Sequence, residues 1–277
     1  MGMRITTNIS SLNAQRTLVA SQREIQKSMA QLSSGSRITK AADDAAGLAI
    51  SESLRSQVRS LGQASRNAND GISMVQVAEG GLGEISNILT RMRELGIQSA
   101  SDTVGERERG FLNMEVQQLK QEMERIAKTT RFGTTSLLDG TGQTFEIQVG
   151  INNDTFQDRI GFDSSMLNAT LGELGVEGVD YSSKDGAQDA LMIVDEAQSK
   201  VAGFRANLGA LQNRFQSTIE NLGAAHENLS AANSRIRDAD IAASASEAAR
   251  NQVLLQASTS VLAQANQQPA LAMKLVG

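Results

Sequence analysis

The chain has 277 residues, a formal net charge of −5 and no cysteine, with one proline, one tyrosine, seven phenylalanines and no tryptophan. The missing cysteine excludes disulfide frameworks, cysteine zinc sites and thiol nucleophiles, and the acidic balance argues against a nucleic-acid binder, which normally carries a basic surface. Since average usage would give about 14 prolines, the composition favours long uninterrupted helices over turns.

Positive charge is concentrated at the start of the chain. Residues 1 to 40 carry six cations and one anion, which leaves 20 cations and 30 anions for the rest. An arginine-rich, acid-poor start could be a mitochondrial transit peptide, but no small-residue cleavage site follows it. The apolar block of a secretory signal is also missing. We therefore expect this segment to stay on the mature chain.

The other end of the chain is long, uncharged and polar. Between Arg250 and Lys274 lie 23 residues without a charge, which is long enough to cross a bilayer. Ten of them are Asn, Gln, Ser or Thr, whose polar groups would need partners in hydrocarbon. We predict a helix that contacts protein or lines a water-filled channel.

The first segment predicts a helix that ends at Gly35, since glycine tolerates the left-handed conformation that follows a helix end. Asp43 or Asp44 can then accept hydrogen bonds from the free amides that begin the next helix. Apolar residues at steps of three, four and seven place one stripe on one face of the first helix: Ile5, Ile9, Leu12, Leu18, Ile25, Met29 and Leu32.

Four further helices are predicted, at about residues 44 to 101, 106 to 129, 185 to 235 and from Asp240 onward. Gly80 and Gly81 in the longest predict either a kink or the close approach of a neighbour. The apolar residues alternate at three and four, as in a coiled-coil seam: Leu54, Val58, Leu61, Ser65, Ala68, Ile72, Val75, Leu82, Leu89 and Met92; Leu112, Val116, Leu119, Met123 and Ile126; Leu191, Val194, Val201, Leu208, Leu211, Phe215, Leu222 and Leu229; Ile241, Ala245, Ala248, Gln252, Leu255, Thr259 and Leu262.

The periodicity changes to two in the middle of the chain. Phe145, Ile147 and Val149 alternate with polar residues, and beyond a turn cluster Phe156, Ile160 and Phe162 share a parity, which predicts a β-hairpin. Residues 163 to 184 are turn-rich and aperiodic.

These patterns predict a mainly α protein, a long antiparallel coiled-coil or helical-bundle rod with a small β-hairpin region and paired terminal helices. The terminal seams consist largely of Ala, Ser and Gln, so this pair should be marginal alone and become ordered against other subunits. We expect five segments: an N-terminal helix (1–42), a helical core with the hairpin (43–162), a short loop (163–184), a second helical core (185–235) and a C-terminal helix (236–277).

The residues predict no catalytic, cofactor or metal site. His226 is the only histidine, and a lone histidine without cysteine cannot complete an ordinary zinc site. Neither a Gly-x-Ser-x-Gly nucleophile elbow nor a Gly-x-x-x-x-Gly-Lys phosphate loop occurs in the sequence. Asp43 and Asp44 could form a metal or acid pair, but helix capping is the simpler interpretation.

Four strings of the sequence are distinctive: QLSSGSRI at 31–38, DDAAGLAI at 43–50, QASRNANDGI at 63–72 and STSVLAQAN at 258–266. Together they resemble bacterial flagellin, and RMREL at 91–95 and FEIQVG at 145–150 also match that family. The resemblance covers nearly the whole chain except residues 163 to 184, where other flagellins insert outer domains. The chain is therefore similar to a short, core-only flagellin.

The resemblance implies a structural subunit, not an enzyme, that polymerises with itself into the hollow helical filament of the bacterial flagellum and serves swimming motility. It implies export by the flagellar type III apparatus and a secreted, extracellular location. Residues 1–42 would then be the export and assembly segment, and together with residues 236–277 they would form the inner core of the filament. The implied partners are an export chaperone, the filament cap and hook-associated proteins. No cofactor, nucleic acid or membrane insertion is implied.

Three positions match residues through which many flagellins engage the flagellin-sensing Toll-like receptor: Arg91, Leu95 and Glu115. A structural interpretation is that Arg91 and Glu115 lie on adjacent helices and form ion pairs within or between subunits. Neighbouring Thr90 departs from the glutamine common in strongly recognised members, which argues against receptor activity. The alternatives to flagellin are a flagellin-like hook–filament junction protein and, in another class, a membrane-associated or signalling coiled coil.

Overall fold

The structure is a computed structural model that describes residues 8–141 and 143–276, with side chains through residue 267. The chain forms two compact units: unit 1 contains Met1–Ser56 and Asn228–Gly277, and unit 2 contains Gln57–Glu227. The helices are α1 (Ile9–Ser34), α2 (Ala45–Ser99), α3 (Glu106–Thr129), α4 (Leu171–Leu174), α5 (Lys184–Arg237) and α6 (Ile241–Val276), and the strands are β1 (Arg131–Phe132), β2 (Thr135–Ser136), β3 (Thr144–Gln148) and β4 (Arg159–Asp163).

Unit 1 is built on an antiparallel pair of helices, α1 and α6. Near the start of α1, Asn8 Nδ2 donates to the carbonyl oxygen of Ala265 at 2.8 Å, and Ser11 Oγ lies 2.9 Å from Asn266 Oδ1. The other end of α1 lies beside the start of α6, because Ser36 forms an antiparallel bridge with Asp238. The predicted pairing of the terminal helices is confirmed.

The predicted signals at the ends of α1 and α2 are also confirmed. Gly35 follows α1 in the left-handed conformation, with φ 68°, and its N–H donates to the carbonyl of Gln31. The carboxylate of Asp44 accepts the N–H of Gly47 at 2.8 Å, which satisfies a free amide in the first turn of α2. Asp43 instead accepts the backbone N–H groups of Thr39 and Lys40.

Unit 2 has an aliphatic core shared by α2, α3, α5 and the β3–β4 hairpin. Residues at the predicted seam positions of unit 2 are buried or partly buried, and α3 has the predicted bounds. The buried seam residues include Leu82, Leu89, Met92, Val116, Met123, Val194, Val201, Leu208 and Phe215. The mainly α fold with coiled-coil seams and a small hairpin is therefore confirmed.

At the two glycines in the middle of α2, the helix continues without interruption. A Cβ on Gly81 would lie 2.7 Å from Thr130 Oγ1 and 2.8 Å from Leu138 Cδ1. The close approach of a neighbour therefore explains Gly81, because the segment that follows α3 touches the helix backbone at this point.

The β3–β4 hairpin has the predicted alternation. Phe145 pairs with Phe162 and Ile147 with Ile160 across the antiparallel ladder. Phe156, which was also assigned to the hairpin pattern, lies outside both strands in the connecting turn and is exposed. A second, two-residue pairing of β1 with β2 around Gly133 is too short to give a sequence signal.

Residues 164–183, which we call the strap, form more than a loop. They contain a 3₁₀ turn (Ser164–Met166) and α4, and six apolar side chains of the strap belong to the core of unit 2: Leu167, Ala169, Leu174, Val176, Val179 and Tyr181. The aperiodic sequence gave no indication of this burial.

Candidate functional site

The α1–α6 interface of unit 1 is made mainly of small side chains. The buried residues of α1 are Ser11, Ala14, Ser21 and Ser28. In α6, as far as residue 267, they are Ser244, Ser258 and Ala265. Larger side chains such as Leu18, Ile25, Leu255 and Leu262 are only partly buried between them. Such shallow seams allow the two helices to approach closely, but they remove little apolar surface from water.

Other large apolar side chains of α1 and α6 face outward. On α1, Ile9 is 61% and Met29 is 59% exposed, and on α6 Val253 is 65% exposed. Among the described side chains of these two helices, the other exposed large apolar residues are Leu12, Val19, Ile241, Leu254 and Val261. Unit 1 thus presents apolar side chains to its surroundings, which is typical of a surface that another protein covers.

This arrangement corrects the predicted stripes. Leu18, Ile25 and Leu32 lie toward the seam of α1, whereas Ile9, Leu12 and Met29 are exposed; Ile5 is outside the described residues. On α6, Ala248, Leu255 and Leu262 lie toward the seam, but Ile241, Ala245, Gln252 and Thr259 are exposed. The predicted stripes were therefore only partly right. Serine and alanine occupy the buried seam positions among the described residues, and several large apolar side chains lie on the outward faces of both helices.

Arg91 and Glu115 form an ion pair between α2 and α3 of unit 2. Arg91 Nε lies 2.9 Å from Glu115 Oε1, and Arg91 Nη1 lies 3.0 Å from Glu94 Oε2. The hydrogen bond from Arg91 to Glu115, and to a smaller extent the one to Glu94, raises the pKa of the guanidinium. All three side chains are well exposed, so the expected ion pair is present at the surface.

Leu95 is placed differently from the two charged residues. It is only 1% exposed and belongs to the core of unit 2. The structure therefore brings Arg91 and Glu115 together at the surface and keeps Leu95 beneath it. The neighbouring Thr90 hydroxyl accepts a hydrogen bond from Gln198 Nε2 on α5 at 3.3 Å.

The turn between β3 and β4 presents an aromatic side chain on an ordered backbone. The Asp154 carboxylate accepts the N–H groups of Phe156 and Gln157, both at 2.8 Å, which lowers the pKa of Asp154. Arg159 Nη1 reaches Glu146 Oε2 at 2.7 Å at the base of the turn. Phe156 is nevertheless 83% exposed. Sequence periodicity could not identify this residue as a surface group, because it shares the parity of the buried Phe162.

The strap is held to the helices of unit 2 by hydrogen bonds between side chains and backbone carbonyls. Lys120 Nζ donates to the carbonyl oxygens of Glu177 and Val179, at 2.5 and 3.2 Å, and burial lowers the pKa of Lys120. The buried Tyr181 hydroxyl donates to the carbonyl of Met92 at 2.9 Å, and burial raises its pKa to about 12. These contacts make the strap a structural part of unit 2.

The residues considered for chemistry are accounted for by structural contacts. Asp43 accepts the N–H of Lys40 in the segment between α1 and α2, and Asp44 caps α2. His226 is exposed on α5. Among the described residues, no three His, Cys, Asp or Glu side chains are placed to hold a metal ion. No helix in that part of the chain is long and apolar enough to cross a membrane.

Two family models match the chain. The model described as the bacterial flagellin N-terminal helical region matches residues 5–143, and the model of the bacterial flagellin C-terminal helical region matches residues 191–275. The first match contains α1, α2 and α3, and the second contains most of α5 and α6.

Relatives match over the full length. A flagellin of Halalkalibacterium halodurans is 46% identical over 274 residues, which cover 99% of this chain and 100% of that protein. The flagellar filament core protein flaB2 of Brachyspira hyodysenteriae is 42% identical over 99% of this chain and 100% of its own length. Among solved structures, a flagellin of Bacillus cereus aligns with a TM-score of 0.50 and 31% identity, covering 57% of this chain and 88% of that one.

Proposed function

The chain belongs to the bacterial flagellin family and is a structural subunit of the flagellar filament, not an enzyme, and we propose that its terminal helices reach their stable state only against other copies. The observation that carries the assignment is the match to a flagellin over 99% of this chain and 100% of the relative. The two sequences align over nearly all of both chains, so the similarity is not confined to the terminal helices.

Self-assembly is supported by the surfaces of both units. In unit 1 the seam is filled by serine and alanine while isoleucine, leucine and valine remain exposed. In unit 2 the ordered β3–β4 turn exposes Phe156. A fully buried aliphatic or aromatic side chain contributes roughly 1.5–3 kcal/mol relative to an exposed one. Covering these residues with other copies would therefore supply the free energy that the α1–α6 seam lacks.

Polymerisation of the purified chain tests this function directly. Electron microscopy of concentrated protein should show hollow filaments of micrometre length. Changing Val253 and Val261 together to asparagine should abolish filaments but keep the helix content of the monomer, because both side chains are exposed before assembly. The matched control, Val253→Ile with Val261→Ile, should still polymerise. Soluble rods or short caps from the wild-type chain would contradict the assignment.

We infer that the subunit reaches the filament by the flagellar type III export route and works in the extracellular filament. The cationic first 40 residues would serve as an uncleaved export segment, and the partners would be an export chaperone, the filament cap and hook-associated proteins. Deletion of residues 1 to 40 should abolish secretion. Secretion of the truncated chain at the wild-type level would contradict this inference.

Recognition by the flagellin-sensing Toll-like receptor is a separate proposal, supported by the exposed pair of Arg91 and Glu115. Leu95 would act from the core by supporting the α2 surface, since its side chain is buried. A reporter-cell assay comparing the wild type with Arg91→Ala tests the proposal. A loss of signal supports it, whereas no signal from the wild-type chain, or an equal signal from the variant, rejects it.

A further inference from the structure

The two connections between helices in unit 1 are bonded to each other. The first linker (residues 35–44) joins α1 to α2, and the second linker (residues 238–240) joins α5 to α6. Arg37 N donates to the carbonyl of Arg237 at 2.6 Å, and Ala239 N donates to the carbonyl of Gly35 at 2.9 Å. Ser36 and Asp238 form the antiparallel bridge between these bonds.

The side chain of Arg37 connects the first linker to the last turn of α5. Its Nε and Nη2 atoms both donate to the carbonyl oxygen of Ile236, at 3.2 and 2.8 Å. Ile236 is in the last turn of α5, where carbonyl groups lack partners within the helix and a positive charge is favourable. The Nη2 atom also lies 3.7 Å from the capping carboxylate of Asp44.

Neighbouring residues fix the position of Arg37 in the first linker. Gln31 Nε2 donates to the carbonyl of Arg37 at 2.8 Å. Ile38 is 2% exposed, and its Cδ1 atom would lie 2.8 Å from a Cβ placed on Gly47. The linker is therefore anchored on both sides of Arg37, so that the guanidinium is held where α5 ends.

We propose that Arg37 makes the two linkers and the last turn of α5 a single joint. This joint holds the end of α1 beside the start of α6 while these two helices become ordered in the filament. The backbone N–H of Arg37 binds the carbonyl of Arg237, the last residue of α5, and its guanidinium binds the carbonyl of Ile236 in the same turn. Lysine could supply the charge but not the planar two-nitrogen fork that reaches one carbonyl. The proposal rests on the assembly function, because it concerns how the terminal helices enter the filament.

The first test measures the critical concentration for polymerisation. Arg37→Ala should raise it about tenfold or more, the equilibrium effect of losing one charge-assisted hydrogen bond. Arg37→Lys should recover only a small part of the loss. Lys40→Ala removes an exposed cation from the same linker and should leave the critical concentration unchanged. Full recovery by lysine would overturn the proposal, because charge at the helix end would then be sufficient.

A disulfide provides the rescue experiment, since the chain has no cysteine of its own. Residues facing each other in an antiparallel bridge have Cα atoms about 4.5–5.5 Å apart, which fits disulfide geometry. Ser36→Cys with Asp238→Cys should therefore join the linkers covalently when oxidised. In the Arg37→Ala background, oxidation should restore wild-type polymerisation and a reductant should remove it again. The same cysteine pair with Arg37 intact should polymerise equally well in both states.

Disulfide formation in the unpolymerised chain separates the joint from the assembly function. In a glutathione buffer, the Arg37→Ala change should lower the effective concentration of the two thiols about tenfold. An unchanged value, or polymerisation that oxidation fails to restore, overturns the joint. Failure of the wild-type chain to polymerise would instead reject the assembly function, while the thiol measurement would still decide the role of Arg37.

Discussion

Unit 1 and unit 2 use the same helical spacing with different side chains. In unit 2 the positions at steps of three and four hold Leu, Ile, Val, Met and Phe, which are removed from water. In unit 1 the corresponding positions of α1 and α6 hold serine and alanine at the most buried points. The spacing determines that helices pair, whereas the size of the seam side chains determines whether the pair is stable alone. The proposed assembly would gain from this division, because unit 2 would be folded before assembly and unit 1 would become ordered in it.

The strongest way to break this comparison is to remove a large side chain from the core of unit 2. Phe215 is fully buried, and Phe215→Ala should cost about 3–5 kcal/mol of unfolding free energy. Phe156→Ala is the matched control, because this phenylalanine is 83% exposed; it should change monomer stability by less than about 0.5 kcal/mol. Chemical denaturation followed by circular dichroism measures both, and equal effects would contradict the assigned core.

A second comparison uses two glycines of α2. A Cβ on Gly71 would lie 2.8 Å from Phe215 Cζ and 3.1 Å from Ile147 Cδ1, whereas a Cβ on Gly80 meets nothing within 4 Å. Both alanine substitutions gain about 1 kcal/mol of helix propensity, but overpacking at Gly71 costs about 1–3 kcal/mol. Gly80→Ala should therefore raise the melting temperature, and Gly71→Ala should be less stable than Gly80→Ala. The reverse order would show that α2 and α5 are not packed as closely as described.

The surface of unit 2 should contribute much less than its core. Arg91→Ala removes ion pairs with Glu94 and Glu115, all of them well exposed, and exposed pairs are typically worth about 0.2–1 kcal/mol. The loss should shrink further at high salt, because mobile ions screen exposed charges. Denaturation midpoints at low and high salt check this, and a loss as large as that of Phe215→Ala would be inconsistent with a surface role.

The smallest expected effect concerns pH in the first linker of unit 1. Backbone hydrogen bonds from Lys40, with those from the Thr39 side chain and backbone, lower the pKa of Asp43. Because the pKa of Asp43 is lower in the folded state, its ionised carboxylate stabilises the linker at pH values above the ordinary aspartate pKa of about 3.9. This stabilisation is lost as the pH falls through the folded-state pKa. The amide resonance of Lys40 should therefore shift in acid with a midpoint below that value. In Asp43→Asn this acid-induced shift should be absent; a midpoint above the ordinary value would contradict the hydrogen bonds.

The sequence predicted unit 2 better than unit 1 for a physical reason. Where burial against the same chain supplies the free energy, apolar spacing identifies the buried face, as the confirmed α3 seam from Leu112 to Ile126 shows. In α1 the same rule selected Ile9, Leu12 and Met29, which are exposed. Hydrophobic spacing cannot distinguish a face that is covered within the chain from one that is left for another copy.

The sequence did not predict the strap or the joint, because the hydrogen bonds that hold them follow no periodic pattern of residue types. Lys120 and Ser99 bind backbone carbonyls of the strap, and such contacts follow no pattern in the strap sequence. The string from Gln31 to Ile38 is typical of the family, but its spacing does not predict which contacts its residues make. In the structure, the residues of this string terminate α1 and form hydrogen bonds with the second linker, and Ile38 is buried.

Hydrogen exchange of the same chain as monomer and as filament tests the central claim most directly. We predict that backbone amides of α1 and α6 exchange on the order of a thousandfold more slowly in the filament, because a pair joined by small side chains opens readily until other copies cover it. Amides of the unit 2 core, such as those around Leu89 and Met123, should be strongly protected in both states. Equal protection of α1 and α6 before and after assembly would contradict the account.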